Sequence, residues 1–278
     1  MSPGVFVTCC LGIGAVLFPI STSAQAQRLT DRYDLDSFQV RYDLPGGLDE
    51  VSGLALDDEG RLFAHDDERA VIYEVDVETG RVSAGFRVGE TAVRGDFEGI
   101  AVVGDRFFLA SSTGMLYEFR ETSPRSPTEY RRTDTELGSR CEVEGLAHHE
   151  VDESLLVACK ETPDERHIVI HRLALDPSRG VLEPIRVQKQ GLRAAGGTRN
   201  FSPSAIALDP RTGHLVLLAA RQEQILEITM GGEIISLFRL SKSRHPRPEG
   251  LEFAPGGLLL IADEKDEAGA RVTVYAPR

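Results

Sequence analysis

Apolar and polar residues alternate along this chain in short runs, not in the period of a helix. Val71-Ile72-Tyr73-Glu74-Val75 is typical and reads as a strand with one polar face. Many runs come in pairs separated by turn residues. Residues 53–56 meet Asp57-Asp58-Glu59-Gly60 and return over 61–65. Residues 205–208 meet Asp209-Pro210-Arg211-Thr212-Gly213 and return over 214–219, and 251–254 meet Pro255-Gly256-Gly257 before 258–262. Such flanked turns predict hairpins. A third run follows at 71–75, 115–119, 168–173, 224–228 and 271–275, and a fourth at 82–88, 128–132, 182–187 and 234–240. No segment reads as a helix.

One short phrase opens each set of runs. It occurs as Val51-Ser52-Gly53-Leu54-Ala55, Phe97-Glu98-Gly99-Ile100-Ala101 and Val143-Glu144-Gly145-Leu146-Ala147, then as Pro203-Ser204-Ala205-Ile206-Ala207 and Pro248-Glu249-Gly250-Leu251-Glu252. From Ser52 through Glu98, Glu144 and Ser204 to Glu249 the steps are 46, 46, 60 and 45 residues. A recurrence of this length marks a repeat architecture. Five repeats of four strands predict an all-β fold, a five-bladed β-propeller with four antiparallel strands per blade. The fifth repeat lacks a fourth strand, and residues 38–42 are expected to supply it, closing the ring and removing an open sheet edge. The long step is assigned to an insertion at 176–200. Residues 27–278 are expected to form one propeller domain.

The first 26 residues carry no charged side chain, and the apolar run at 5–20 leads to Ser21-Thr22-Ser23-Ala24-Gln25-Ala26. This layout predicts a signal peptide over 1–26, cut after Ala26, and hence a periplasmic or secreted protein. The run is broken by glycine and Pro19, whereas a membrane span needs about 20 apolar residues, so no integral span is expected after cleavage. The net charge of −13 argues against nucleic-acid or anionic-membrane partners, which need a basic surface. Cys9 and Cys10 leave with the leader. Cys141 and Cys159 flank the first two strands of blade three, and antiparallel pairing would bring them together as a disulfide in an oxidising compartment.

In a propeller the first strand of each blade lines the central channel, so the phrase residues meet at one mouth. Glu98, Glu144 and Glu249 would form a ring there with Ser52 and Ser204, and the glycine or alanine after each lets backbones crowd the axis. The second strands end at the same mouth with Asp66, Ser112, Lys160, Arg221 and Asp263. Converging carboxylates need a neutralising partner. A hard cation such as Ca²⁺, which takes six to eight oxygen ligands, is one candidate. Arginine is the other, from Arg94, Arg140, Arg199, Arg244 and Arg247, and the spacing leaves both open.

The phrases Asp96-Phe97-Glu98-Gly99-Ile100 and Val143-Glu144-Gly145-Leu146-Ala147, with Pro203-Ser204-Ala205-Ile206 and Pro248-Glu249-Gly250-Leu251, resemble the SdiA-regulated family. The resemblance spans nearly all of 38–277. It implies an exported bacterial five-bladed propeller, distantly similar to NHL-repeat propellers and associated with a calcium site. It implies no settled activity. Carried onto this chain, it implies Glu98, Glu144 and Glu249 as metal ligands, with Asp263 as a fourth.

No Gly-x-Ser-x-Gly elbow is present, and the zincin-like start at His149-Glu150 lacks its second histidine. The reading that follows is a monomeric, calcium-binding module that presents an unidentified small-molecule or protein ligand surface at the channel mouth. The alternative is a metal-dependent hydrolase of lactonase, esterase or phytase-like type, for which His65, Asp66 or Asp263 would supply the base.

Overall fold

The computed structural model describes Met1, residues 27–179 and residues 182–278. The expected leader, its cleavage point after Ala26, and Cys9 and Cys10 lie outside the described residues, as do Gly180 and Val181 of the insertion. Five sheets stand around a central axis. Blade one is Val51–Leu56, Leu62–Asp66, Val71–Val75 and Phe86–Val88. Blade two is Phe97–Val103, Arg106–Ser111, Met115–Arg120 and Tyr130–Asp134. Blade three is Glu142–His149, Ser154–Glu161, His167–Ala174 and Ile185–Gln188. Blade four is Ala205–Leu208, Leu215–Ala219, Gln224–Ile228 and Ile234–Arg239. Blade five is Pro248–Ala254, Leu258–Asp266 and Gly269–Tyr275, with Val40–Asp43 as its outer strand. Neighbours within each four-stranded set run antiparallel.

The five-bladed propeller predicted from the repeats is therefore the observed fold. The closing strand pairs in the expected place, Val40 opposite Val274 and Asp43 opposite Arg271. A second tie lies outside it, where Tyr33 bridges Pro277 and the Arg278 N–H donates to the Arg32 carbonyl at 2.7 Å. The N-terminal segment is also held from below: the Leu29 N–H donates to Glu227 at 2.8 Å, and buried Arg32 pairs with Asp209. Removing one partner from such a buried pair is costly, because the other charge is left without compensation.

Two details differ from the sequence expectation. The outer strand of blade two begins at Tyr130, while Pro127–Thr128 pairs in parallel with blade one, Arg87 opposite Pro127. A proline cannot donate to a ladder and belongs on a sheet edge, which is where Pro127 lies. Two short helices also occur, Leu29–Arg32 and Gln190–Ala194, of four and five residues. Neither spans two turns, so no 3.6-residue pattern could reveal them. Among the described residues, no helix is long and apolar enough to cross a membrane.

Adjacent inner strands touch in ring order, blade one to two and on to five and back to one. The approach is close enough to require glycine. A Cβ on Gly99 would lie 2.5 Å from the Leu146 backbone nitrogen, and one on Gly145 would lie 3.1 Å from that of Ile206. One apolar cluster lies in each blade interface. Cys141 and Cys159 form a disulfide between the start of the first strand of blade three and the second, with Cα atoms 5.2 Å apart.

Two stability predictions follow from these contacts. Gly99→Ala should destabilise the fold by about 1–3 kcal/mol through overpacking, whereas Gly46→Ala, whose nearest new contact is 3.9 Å away, should be close to neutral. Urea midpoints of the two variants check this. Replacing both Cys141 and Cys159 by alanine should cost roughly 3 kcal/mol by the loop-closure argument. Mass spectrometry without reductant should find no free thiol at either position in the parent protein.

Candidate functional site

The phrase residues meet at one mouth by a device that the repeat did not announce. In blade one Val51 faces Asp66 and Gly53 faces His65, which leaves Ser52 outside the pairing. Glu98 is passed over in the same way between Phe97 and Gly99, and Glu249 between Pro248 and Gly250. In blade three the register slips between Val143 and Leu146, across Glu144 and Gly145. Ser52, Glu98 and Glu249 are thus each the extra residue of a β-bulge, and Glu144 lies within a comparable irregularity of the ladder. A bulge bends its strand and re-aims a side chain, and here it does so next to the axis. Ser204 is the exception: it lies just before its strand, and its hydroxyl donates to the Pro248 carbonyl at 2.7 Å, tying blade four to blade five.

Two residues further along each inner strand stand Leu54, Ile100, Leu146, Ile206 and Leu251, all buried. They form an apolar plug beneath the polar ring. A cavity of about 10 Å³ lies at the junction, bounded by the plug together with Ser52, Glu98 and Glu249. That is about the space of one water-sized sphere.

Glu144 is buried and Glu98 and Glu249 are half-buried, with little compensation. Ser52 donates to Glu98 at 2.8 Å, and the Lys160 ammonium pairs with Glu144, its nitrogen lying 3.5 Å from Glu142. The Glu249 Oε2 is buried without a partner. Burial pushes Glu98 up to about 9, with the Glu144 charge adding to it. Burial likewise raises Glu144 to about 7, opposed by Lys160. It raises Glu249 to about 8, helped by the charges of Glu264 and Glu144. An outer acidic tier surrounds the ring: burial, followed by the charges of Glu50, Asp66, Glu264 and Asp96, holds Asp67 up at about 7. Among the described residues, no three ring carboxylates bring oxygens within 4.8 Å of one another.

Of the four residues expected to bind a metal, Glu98, Glu144 and Glu249 share the ring and Asp263 does not. Asp263 is fully buried, with one oxygen 2.7 Å from His245 Nδ1 and the other accepting from the Arg247 N–H at 3.3 Å. The far nitrogen of His245 lies 2.6 Å from the Tyr275 hydroxyl. Asp263 therefore anchors the backbone just before the Glu249 bulge instead of facing the axis. The arginine ring also fails to form among the described residues. Arg247 pairs with Glu264 at 3.4 Å and Arg244 with Asp36 and the Leu35 carbonyl, so Lys160 is the cation that reaches the ring.

The residues considered as a base are held by burial or by backbone contacts. His65 is fully buried, its Nδ1 against the Asp66 carbonyl at 3.2 Å and its Nε2 without a partner, and burial lowers its pKa to about 4. Asp66 accepts backbone N–H groups from Glu50 and Glu68. His149 bonds Asp152 at 2.9 Å across its hairpin turn. Cys141, Cys159 and His171 lie within 4.8 Å of one another, but the bonded sulfurs offer no thiolate to a metal. Sequence reasoning missed Lys160 as the partner of Glu144 and the His245–Asp263 pair. The first was visible as a basic residue ending a second strand at the mouth. The second joins residues 18 apart whose meeting depends on how a loop folds.

Comparison with known proteins agrees with the fold. The sequence model of the SdiA-regulated family matches residues 179–277, from the outer part of blade three through blade five. No curated protein matches the sequence. The chain is similar in fold to the Myxococcus xanthus glutaminyl cyclase, with a TM-score of 0.59 at 17% identity over 87% of this chain and 95% of that one. It is also similar to the PQQ-bound aldose sugar dehydrogenase of Streptomyces coelicolor, with a TM-score of 0.54 at 14% identity over 86% and 98% of the two chains. At such identities the likeness is one of fold, and chemistry belongs to the site.

The raised carboxyls make stability depend on pH when no cation is bound. Each folded value lies above the ordinary 4.5, so the folded chain keeps protons that the unfolded chain has released. The stability this confers is complete below about 4.5 and is lost as pH rises through about 7 to 9. In chelator, the melting temperature should fall between pH 5 and pH 9, and Glu98→Gln should flatten that fall. Thermal melts across the range test both.

Proposed function

Starting from the match to the SdiA-regulated family, we propose that this chain is an exported, calcium-binding propeller whose channel mouth receives a small-molecule or protein ligand. The observation that carries the proposal is the ring of half-buried Glu98 and Glu249 with buried Glu144, in which one Glu249 oxygen is buried and unpartnered above a one-sphere cavity. Burying carboxylates without a counter-charge is unfavourable. The donor set is hard oxygen throughout, which suits Ca²⁺ better than a softer metal. Glu98, Glu144 and Glu249 would hold the ion, drawn inward from their present spacing, and Ser52 would orient Glu98. Bound there, the cation would neutralise the ring and offer open coordination positions to oxygen atoms of a ligand.

The full burial of His65 and Asp263, which withholds both from a metal-bound water, and the two backbone N–H groups that Asp66 accepts favour binding over hydrolysis. The uncharged N-terminal run and the Cys141–Cys159 disulfide both support export to an oxidising compartment. Solvent-facing acidic groups over the rest of the surface are in keeping with a partner that is neither nucleic acid nor anionic membrane.

Metal analysis of the purified protein should find calcium. Free Ca²⁺ at about 100 times its Kd should stabilise the fold by about 2.7 kcal/mol, a rise of roughly 5–10 °C in melting temperature for a chain of this size. Glu249→Gln should abolish the rise. Absence of both metal and shift would refute the cation. Turnover of an ester, lactone or phosphate substrate that disappears in Glu144→Gln would overturn the binding role in favour of hydrolysis.

A further inference from the structure

We infer that the wedge between blades two and three is a second binding site, and that it takes a small amphipathic carboxylate. Sheets that fan out from one axis diverge with distance, so the outer part of every interface needs filling. Four interfaces are filled. Between blades one and two Phe86, Phe107 and Phe119 pack ring against ring. Between three and four the Gln190–Ala194 helix inserts Leu192, with Phe201 behind it. The N-terminal segment places Leu29, Tyr33 and Leu35 between four and five, and Leu44 and Leu48 enter between five and one.

The blade two–three cluster takes in the loop residue Leu137, which leaves part of the wedge open. Its outermost members, Leu116, Leu173 and Leu175, are only partly covered. A cavity of about 310 Å³ remains there, bounded by Leu116, Leu155 and Leu173 on its apolar side. This is about the lower limit for ligand pockets and leaves room for roughly ten groups of water size.

Its polar wall selects the ligand. In a chain of net charge −13, the cavity is lined by Arg106, Arg131, Arg140 and Arg172 and by only two acids, Glu118 and Glu136. Glu118 serves both Arg106 and Arg131, and Asp152 serves Arg172. Arg140 has no carboxylate partner within the ion pairs of the described residues. The Arg172 Nε is buried without any partner. An apolar wall facing one buried, unpartnered guanidinium N–H and the Arg140 guanidinium, which lacks a carboxylate partner, matches an alkyl chain that ends in a carboxylate, which guanidinium groups bind through charge-assisted hydrogen bonds. A cationic head would meet four arginines, and a neutral one would add no countercharge for Arg140. The site lies between two sheets, away from the channel, and does not depend on the calcium proposal.

The probe is sodium octanoate, titrated calorimetrically into the full chain, with octylamine and 1-octanol as comparison ligands. Octanoate should bind saturably at one site, more tightly than either comparison compound. Arg140→Gln, at an exposed position, should weaken it by about tenfold. Leu173→Trp should block it by occupying the wedge, with an unchanged melting temperature showing that the blade still folds. Failure of octanoate to saturate below millimolar concentration would overturn the inference. So would equal binding of 1-octanol or octylamine, or an Arg140→Gln variant that binds octanoate as the parent does.

Discussion

Five strands can share one axis only if their backbones come closer together than side chains normally permit. Gly99 provides that approach with no room for a Cβ against the next blade, and a Cβ on Gly145 would be in tight contact there. The same crowding places the residue before each glycine at the rim of a narrow, plugged channel. In three blades that residue is a glutamate. The architecture thus forces like charges together in a place where the Leu54, Ile100, Leu146, Ile206 and Leu251 plug keeps water scarce. The raised carboxyl pKa values, the unpartnered Glu249 oxygen and the reach of Lys160 toward Glu144 all arise from this one constraint.

The bulges make the constraint useful. A regular inner strand would send alternate side chains into the neighbouring interfaces. Leaving Ser52, Glu98 and Glu249 out of the ladder turns them toward the axis while the strands beyond resume normal pairing. The Asp263–His245–Tyr275 chain then secures the approach to the Glu249 bulge from behind. Positioning is built from buried polar groups outside the ring, so the ring residues remain available to a ligand.

Ring closure and wedge filling share a second logic. The N-terminal segment supplies the outer strand of blade five and also the apolar filling between blades four and five. Its buried Arg32 and the Glu227 contacts bind it to blade four. Between blades two and three, where the loop residue Leu137 fills only part of the wedge, a cavity remains among the described residues.

Much of this was legible in the sequence because it is periodic. The five phrases set blade number, the direction of the mouth and the unevenness of three glutamates and two serines, and the missing fourth strand pointed to 38–42. Alternation in each run reports which face of a strand is buried, since the side-chain period is two. Tertiary structure alone decided what periodicity cannot encode. The bulges shift register by one residue within a phrase that otherwise repeats, and Asp263 faces His245 because a loop returns there. The arginines near each phrase turn to partners such as Glu264 and Asp36, while Lys160, on a neighbouring strand, reaches the ring. The open wedge depends on which segments pack between blades far apart in sequence. A local pattern specifies strands; which long-range partner satisfies each buried charge depends on distances that exist only once the ring has closed.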